Sequence, residues 1–305
     1  MHLHFAHANG FPAGSYRKLF SAFNSDYYVS AIEKFGHSSR FPISKNWGNQ
    51  TQELITHIES TQNQPVYGIG HSFGGVVSYM AACTRPDLFK GLIMLDPPMI
   101  TGLTRVFFRG AKATPLIDKI TPAGKTVTRC KQWGKDEDLV AYFQARALFK
   151  NMDSDCIADY VSSVTHVQEQ HRHLHFKPEV EASIFRNLPH DIYKYYGKLT
   201  CPALLVTGSQ THVCTERRIR PFIKANHLTH EVFSGGHMFP LESPVETAEL
   251  INRTIEGWRR VVYDSEASCS VFIMVMINDS ALRHDTTTID NCFLDFTIPL
   301  YFYIR

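Results

Sequence analysis

The sequence of 305 residues lacks a strong charge bias and a long apolar run, and each absence excludes a class of partner. Lys and Arg together number 31 and Asp and Glu number 29, for a formal net charge of +2. This balance gives no overall basic field to attract nucleic acid or an anionic membrane, so we predict no nucleic-acid partner. No apolar run reaches the ~20 residues of a membrane-spanning helix, so we predict no membrane span.

The sequence also lacks paired cysteines and a leader-like start. Its seven cysteines include no C-x-x-C pair, and an odd, dispersed set argues against a disulfide framework. The first residues show no basic segment followed by an apolar one, which is the pattern of a secretory signal peptide. Together these features predict reduced thiols and a cytoplasmic location. The cysteines are Cys83, Cys130, Cys156, Cys201, Cys214, Cys269 and Cys292.

The most informative motif is G-H-S-F-G over residues 70–74. It follows a short apolar run, 66–69, and leads into a segment typical of a helix, 75–83. A strand, a sharp turn and a helix are the context of a nucleophile elbow, in which the two glycines avoid collisions as the chain folds back. The motif therefore predicts that Ser72 is a nucleophile at the top of a sheet. The alternative is an ordinary glycine-rich turn with a capping serine.

A second motif, S-G-G-H-M-F-P over residues 234–240, indicates the base. It follows an apolar stretch, 231–233, and precedes a predicted helix that begins near Ser243, with Glu246 placed for a capping box. Among the 16 histidines, His237 alone combines a glycine-flanked loop with a position downstream of the serine. We predict that His237 is the general base.

A third motif is H-A-N-G-F-P over residues 7–12. Together, the three motifs resemble those of α/β-hydrolases, and the resemblance spans residues 2–258. It implies that the backbone N–H groups of Phe11 and Phe73 form an oxyanion hole, which stabilises negative charge on a substrate carbonyl. The alternative for the third motif is a plain Asn-Gly hairpin turn. Within these motifs, Asn9, His71 and Met238 are predicted to contact substrate.

The acid departs from the family pattern. Most members carry an aspartate in a G-x-x-D turn after the next-to-last core strand, but here Thr211 occupies that place after Gly208. Threonine has no charge to stabilise an imidazolium. Asp96 ends the preceding strand, where some hydrolase families place their acid, and we predict that it is the substitute. The alternatives are a purely structural Asp96, Asp118 or Glu216 as the acid, and a site with no acid at all.

Strand-like and helix-like segments alternate along the chain and predict an α/β fold with a mostly parallel, doubly wound sheet. The resemblance implies that the first strand is the third of the usual sheet, so the antiparallel hairpin is missing and a sheet edge is exposed. Strands are predicted near 2–6, 27–32, 66–69, 92–95, 203–207 and 230–233, and helices near 15–23, 49–60, 75–83, 216–225 and 245–260.

The sequence predicts a hydrolase core over 1–96 and 201–262, a helical cap over 97–200 and a C-terminal extension over 263–305. The cap contains helix-like stretches at 136–150 and 154–170, and its aromatic residues either line an acyl pocket or pack the cap itself. Histidines at 171, 173 and 175 alternate but lack a further ligand, so no metal site is predicted. Two β-prone tracts, 271–277 and 296–304, either cover the exposed sheet edge within one chain or across a homodimer, or belong to an extension with little function.

The resemblance implies a carboxylesterase-like serine hydrolase that acts on esters of small to medium apolar acids. Ser72 would attack the carbonyl, His237 would transfer the proton, and Asp96 would orient the imidazole. Thioester, lactone or carbon–carbon bond hydrolysis are alternatives, because a triad determines acyl transfer and not the leaving group. A non-catalytic ligand-binding member is a further alternative, motivated by Thr211. The predicted partner is a small-molecule ester, and the chemistry needs no cofactor.

Overall fold

A computed structural model describes residues 1–261, within which the chain forms a compact unit, Met1–Trp258. Its main sheet has six strands that pair in parallel in the order β2-β1-β3-β4-β8-β9. A second sheet of three antiparallel strands has the order β5-β7-β6. In chain order the strands are β1 His2–Ala6, β2 Tyr28–Ala31, β3 Val66–His71, β4 Phe89–Leu95, β5 Gln132–Gly134, β6 Thr165–Gln168, β7 His171–Leu174, β8 Ala203–Gly208 and β9 Thr229–Phe233.

Helices cover both faces of the main sheet. We number them α1 Arg17–Ser21, α2 Gly48–Thr61, α3 Phe73–Thr84, α4 Thr104–Ala111, α5 Leu116–Ile120, α6 Ala123–Val127, α7 Leu139–Gln144, α8 Ser154–Val164, α9 Pro178–Arg186, α10 Glu216–Asn226 and α11 Phe239–Glu242, with α12 over 244–261. Short 3-10 turns join several of them.

Side chains of the central strands alternate between two hydrophobic clusters. On β4, Ile93 and Leu95 join one cluster, with side chains of α1, α8 and α12. Leu92 and Met94 join the other, with side chains of α2, α3 and α10. Because successive residues of a strand point to opposite faces, a strand buried on both faces is a continuous apolar run. This confirms the predicted parallel, doubly wound α/β architecture.

The six predicted core strands are all present, and their ends match the prediction or differ from it by up to three residues. β2 and β9 are the two edges of the main sheet among the described residues. The tracts at 271–277 and 296–304, predicted to cover such an edge, lie outside the described residues, as does the extension over 263–305.

The segment predicted as a helical cap is not wholly helical. The predicted helix over 154–170 ends at Val164 and continues as strand β6. The β-branched residues Thr165 and Val167 favour an extended chain at this point, and β6 pairs with β7 next to it. The segment 97–200 therefore holds a small antiparallel sheet beside helices α4 to α9. Its division from the core remains a prediction.

Among the described residues, no helix combines the length and the apolar character needed to cross a bilayer.

Candidate active site

Ser72 stands on a sharp turn between β3 and α3. Its backbone has φ 53° and ψ −119°, a conformation that L residues rarely adopt. Both flanking glycines are required, since a Cβ at Gly70 would lie 2.4 Å from the Gly74 carbonyl oxygen and a Cβ at Gly74 would lie 2.0 Å from the Ala6 carbonyl oxygen. The predicted steric reason for the glycines is therefore confirmed, and the turn directs the serine away from the strand.

His237 lies in the loop that follows β9. Its Nε2 atom is 3.0 Å from Ser72 Oγ. The loop is held by the Glu242 carboxylate, which accepts a hydrogen bond from Gly236 N–H at 2.8 Å, and Gly235 has φ 134°, which favours glycine. The two residues predicted as nucleophile and base are thus in hydrogen-bond contact across 165 positions of sequence.

Asp96 follows β4 and completes a chain of three side chains. Its Oδ2 atom lies 2.6 Å from His237 Nδ1, and the residue has no exposed surface. Gly208 N–H donates to Oδ1 at 3.0 Å, and Thr211 Oγ–H donates to Oδ2 at 2.6 Å. The contact arises because β4 and β8 are neighbours in the sheet, so that their C-terminal loops lie side by side.

These partners determine the histidine tautomer, because a carboxylate accepts hydrogen bonds. His237 Nδ1–H donates to Asp96, so Nε2 carries the lone pair and accepts the hydrogen of Ser72 Oγ–H. This is the protonation pattern that lets an imidazole remove a serine proton.

The two other carboxylates considered from the sequence lie elsewhere. Asp118 forms a double hydrogen bond with the Arg186 guanidinium, both contacts at 2.7 Å. Glu216 is an exposed residue in the first turn of α10. The structure places Asp96 beside His237, and it places neither Asp118 nor Glu216 there.

The two predicted oxyanion donors differ in their surroundings. Phe73 is the first residue of α3, a position whose N–H has no acceptor within the helix. Phe11 N–H instead donates to Ala8 O at 3.0 Å and closes a turn in which Gly10 has φ 79°. To serve an oxyanion as well, Phe11 would have to share its hydrogen between two acceptors, an arrangement known as a bifurcated bond. Both assignments remain predictions.

A buried hydrogen-bond chain connects the three loops of the site. Ala8 N–H donates to Tyr16 Oη at 3.2 Å, and Tyr16 lies 2.8 Å from His71 Nδ1. His71 Nε2 lies 2.9 Å from the carbonyl oxygen of His237. A carbonyl only accepts, so His71 donates from Nε2 and accepts the Tyr16 hydroxyl hydrogen at Nδ1.

Burial lowers the pKa of His71 to about 3, so the ring is neutral at ordinary pH. The residue has no exposed surface, and both ring nitrogens are bonded to protein groups. This geometry favours a positioning role for His71 over the predicted contact with substrate.

Asn9 and Met238, the other predicted substrate contacts, lie at the interface with segment 97–200 or beneath it. Met238 is 3% exposed. Asn9 Nδ2 donates to the Glu181 carbonyl oxygen at 3.0 Å, and its buried Oδ1 has no partner among the described residues. Glu181 in turn pairs with Arg129 at 2.7 Å, and burial raises the pKa of the Glu181 carboxyl. The contact of either residue with substrate remains a prediction.

An aromatic cluster packs against the turn that carries Phe11. The ring centroid of Phe11 lies 5.5 Å from that of Phe149 and 4.9 Å from that of Tyr160. The ring centroid of Phe143 lies 5.1 Å from each of the other two, Phe149 and Tyr160. All four are buried. Phe107, another aromatic residue of segment 97–200, is instead more than half exposed.

Tyr16 and the hydroxyl of Thr211 are contributions to the site that the sequence motifs do not indicate. Tyr16 lies in a segment predicted as a plain helix, and nothing in its neighbours marks it. Thr211 occupies the sequence position where most members carry the acid. That position was the only indication in the sequence that its hydroxyl donates a hydrogen bond to Asp96.

No group of three or more His, Cys, Asp or Glu side chains in residues 1–261 is arranged to hold a metal ion. His171 and His173 lie on β7, and their rings are 6.2 Å apart.

Known proteins resemble this chain in sequence. A model of the alpha/beta hydrolase family matches residues 5–250. The chain is 25% identical over 263 residues to a monoglyceride lipase homolog of Monkeypox virus, a match that covers 83% of this chain and 87% of that protein. It is 31% identical over 134 residues to a type I acyl-CoA thioesterase of Penicillium brevicompactum, covering 42% of this chain but only 29% of that protein.

Solved structures share the fold at low sequence identity. E-2-(Acetamidomethylene)succinate hydrolase superposes with a TM-score of 0.69 at 18% identity, over 84% of this chain and 91% of that chain. Together with the family match, which spans most of the described residues, this similarity identifies the chain as a member of the alpha/beta hydrolase family.

Proposed function

We propose that the protein is a serine hydrolase that cleaves carboxylic esters with small to medium apolar acyl groups through an acyl-enzyme intermediate. The observation that carries the proposal is the continuous contact from Ser72 Oγ to His237 Nε2 at 3.0 Å and from His237 Nδ1 to Asp96 Oδ2 at 2.6 Å. The protonation pattern derived above is the one that acyl transfer requires.

In the first half of the reaction, Ser72 Oγ attacks the ester carbonyl carbon while His237 Nε2 takes the hydroxyl proton. Asp96 accepts from Nδ1–H throughout and balances the positive charge that forms on the imidazole. The carbonyl oxygen becomes an oxyanion near the N-terminus of α3, where Phe73 N–H donates to it. Breakage of the carbon–oxygen bond releases the alcohol, which receives its proton from His237.

In the second half, a water molecule attacks the acyl-serine carbonyl and gives its proton to His237 Nε2. Collapse of the second tetrahedral intermediate breaks the bond to Ser72 Oγ, and His237 returns the proton to the serine. The carboxylic acid leaves, and the starting state is restored without a cofactor.

The surroundings of the Phe11 turn support an apolar acyl group. Phe143, Phe149 and Tyr160 form a buried aromatic wall against it. Such a wall favours hydrocarbon over charged groups. The lipase homolog of Monkeypox virus points to the same class of bond.

Thioester hydrolysis is a second candidate. It is favoured by the similarity to a type I acyl-CoA thioesterase, and the same serine, histidine and aspartate would perform it with a thiol as leaving group.

The cytoplasmic location remains a prediction from the dispersed cysteines.

The test combines labelling with a fluorophosphonate probe and hydrolysis of p-nitrophenyl acetate, butyrate and octanoate. We expect Ser72→Ala to abolish both while the protein stays folded. Ser78→Ala is a matched control, because Ser78 is a buried serine on α3, the helix that begins directly after Ser72, and its hydroxyl has no partner among the described residues. Labelling of Ser72→Ala at the wild-type level would contradict the proposal, and parallel assays with butyryl-CoA separate the two candidate leaving groups.

A further inference from the structure

The helix α4 turns an apolar stripe toward solvent. Leu103, directly before the helix, is 89% exposed, Val106 is 61% exposed and Phe107 is 54% exposed. These positions and Gly110 are spaced as i, i+3, i+4 and i+7, so they follow one face of the helix. The buried residue of α4 is Ala111. Phe108 and Ala111 of α4 pack toward the core, as a surface helix normally requires, and the stripe of Leu103, Val106 and Phe107 lies on a different face that remains exposed.

The apolar exposure continues on the next helix. α5 packs against α4, and it exposes Leu116 and Ile120 by 40% and 37%. Contiguous apolar surface that a folded protein leaves open marks an interaction site more often than single exposed residues do.

The same part of the chain is strongly basic. Residues 103–131 contain seven basic side chains and one acidic side chain, a net of +6, whereas the whole chain carries +2. The lone carboxylate, Asp118, is neutralised by Arg186, and Arg129 and Lys131 pair with glutamates of α9. The other five basic residues, for which the described part of the chain shows no ion pair, are Arg105, Arg109, Lys112, Lys119 and Lys125.

We propose that the exposed face of α4 docks this part of the protein on an anionic lipid surface. The apolar stripe of Leu103, Val106 and Phe107 would enter the boundary between headgroups and acyl chains, while basic side chains beside it meet the headgroups. Apolar side chains flanked by Lys and Arg are the pattern of an interfacial helix. The balanced overall charge of the chain does not reveal this local excess of basic side chains.

A second copy of the chain is the competing occupant of an apolar stripe. Two copies joined by the same face would bring two sets of these five basic residues together, because a two-fold interface places identical patches opposite each other. Like charges brought together in this way repel. An anionic lipid surface supplies the opposite charge, and for this reason the observations favour it.

The consequence for the enzyme rests on the proposed function: the docked protein would take apolar esters from the lipid layer. Docking itself needs no catalysis, so it is measured with the full chain carrying Ser72→Ala. The probes are vesicles of phosphatidylcholine alone and of equal parts phosphatidylcholine and phosphatidylserine, and binding is followed by co-sedimentation. Failure of ester hydrolysis therefore leaves this measurement intact.

Val106→Glu is the test variant and Val245→Glu is its matched control. Both residues are exposed valines in the first turn of a helix, but Val245 lies on α12, outside the stripe. We expect binding to the mixed vesicles, with a loss of about tenfold for Val106→Glu and no loss for Val245→Glu. Arg109→Gln should weaken binding by about fivefold, and only on the anionic vesicles.

Three results would overturn the proposal. The protein without the α4 change could fail to bind the mixed vesicles, or Val245→Glu could weaken binding as much as Val106→Glu does. Light scattering could instead show a dimer that Val106→Glu converts to a monomer, without vesicle binding, which would make the stripe an interface between copies. Thermal unfolding of the Val106→Glu variant at the same temperature as the Ser72→Ala chain without it establishes that this variant folds.

Discussion

Thr211 donates its hydroxyl hydrogen to Asp96 Oδ2 at 2.6 Å, and the same oxygen lies 2.6 Å from His237 Nδ1. The threonine occupies the place where most α/β-hydrolases carry their acid. Here the carboxylate stands on the neighbouring strand end, and the residue in the usual position has become its hydrogen-bond donor. Two donors converging on one oxygen restrict the rotation of the carboxylate and hold it toward the imidazole.

Asp96→Asn tests whether this carboxylate is the acid. The amide fits the same space and can still accept from Gly208 N–H, but its NH₂ group facing His237 Nδ1 favours the wrong tautomer. We expect kcat on a short-chain ester to fall by roughly 10³-fold to 10⁴-fold. Asp87→Asn, at an exposed surface ion pair with Arg85, serves as control. A change of less than about tenfold would reduce Asp96 to a structural residue.

Thr211 can be tested by a graded series. Thr211→Val removes the donor to Asp96 and also the acceptor of Val213 N–H, so we expect a stability loss of about 1 kcal/mol and a fall in kcat of about three- to tenfold. Thr211→Ser keeps the hydroxyl and should retain most of the activity. Thr211→Asp places a second negative charge beside Asp96 and should reduce kcat further. Activity of Thr211→Val equal to that of Thr211→Ser would show that the hydroxyl is dispensable.

The parts of the site that sequence motifs predict are those with a local signature. Ser72 and His237 lie in glycine-containing turns directly after apolar strands, and the steric need for those glycines is visible within a few residues. Asp96 required the resemblance as well, because an aspartate at a strand end is common. Tyr16 could not be predicted, since its partner His71 is 55 positions away and the contact depends on how the helix packs.

The fold shows the same division. The central strands β3, β4 and β8 are largely apolar and buried, as their composition indicates. β6 has only four residues, too few to show a period, and the segment before it is helical, so the sequence extends the helix through it. The exposed stripe of α4 was equally hidden, because periodicity identifies an apolar face without saying whether that face meets the core or the solvent.

Tyr16→Phe tests the buried chain that connects the three loops. The variant loses one oxygen, which leaves Ala8 N–H and His71 Nδ1 without their partners. We expect a stability loss of about 1–3 kcal/mol from the unpaired groups and a fall in kcat of about tenfold with little change in KM, because the loops that hold the reacting groups loosen. The measurement is steady-state kinetics together with thermal unfolding.

Tyr79→Phe is the control for this prediction. Tyr79 is also buried, and its hydroxyl bonds Tyr195 O at 2.9 Å and Asn226 Oδ1 at 2.8 Å, away from the loops of the site. It should lose stability but keep its kcat. If both variants lose activity in proportion to their stability, Tyr16 contributes to the fold alone.

The last prediction concerns His4, a buried residue of β1 whose two ring nitrogens have no hydrogen-bond partner in the described part of the chain. Burial, with a smaller contribution from His57, lowers its pKa to about 3. A histidine in the unfolded chain titrates near 6.5, so between these values the unfolded state binds more protons and stability falls as the pH falls. At pH 5 this cost is about 2 kcal/mol. His4→Leu should remove it.

His7 is the matched comparison, because it is equally buried and its pKa is lowered to about 4, again chiefly by burial. Its ring is fully bonded, to Ala8 O at 2.8 Å and to Phe35 N–H at 3.1 Å. At pH 7 we expect His4→Leu to be more stable than the wild type by about 1–2 kcal/mol and His7→Leu to be less stable, since only the second loses hydrogen bonds. Both should lose less stability between pH 7 and pH 5, measured by urea unfolding. Destabilisation of His4→Leu at pH 7 would mean that its nitrogens have partners after all.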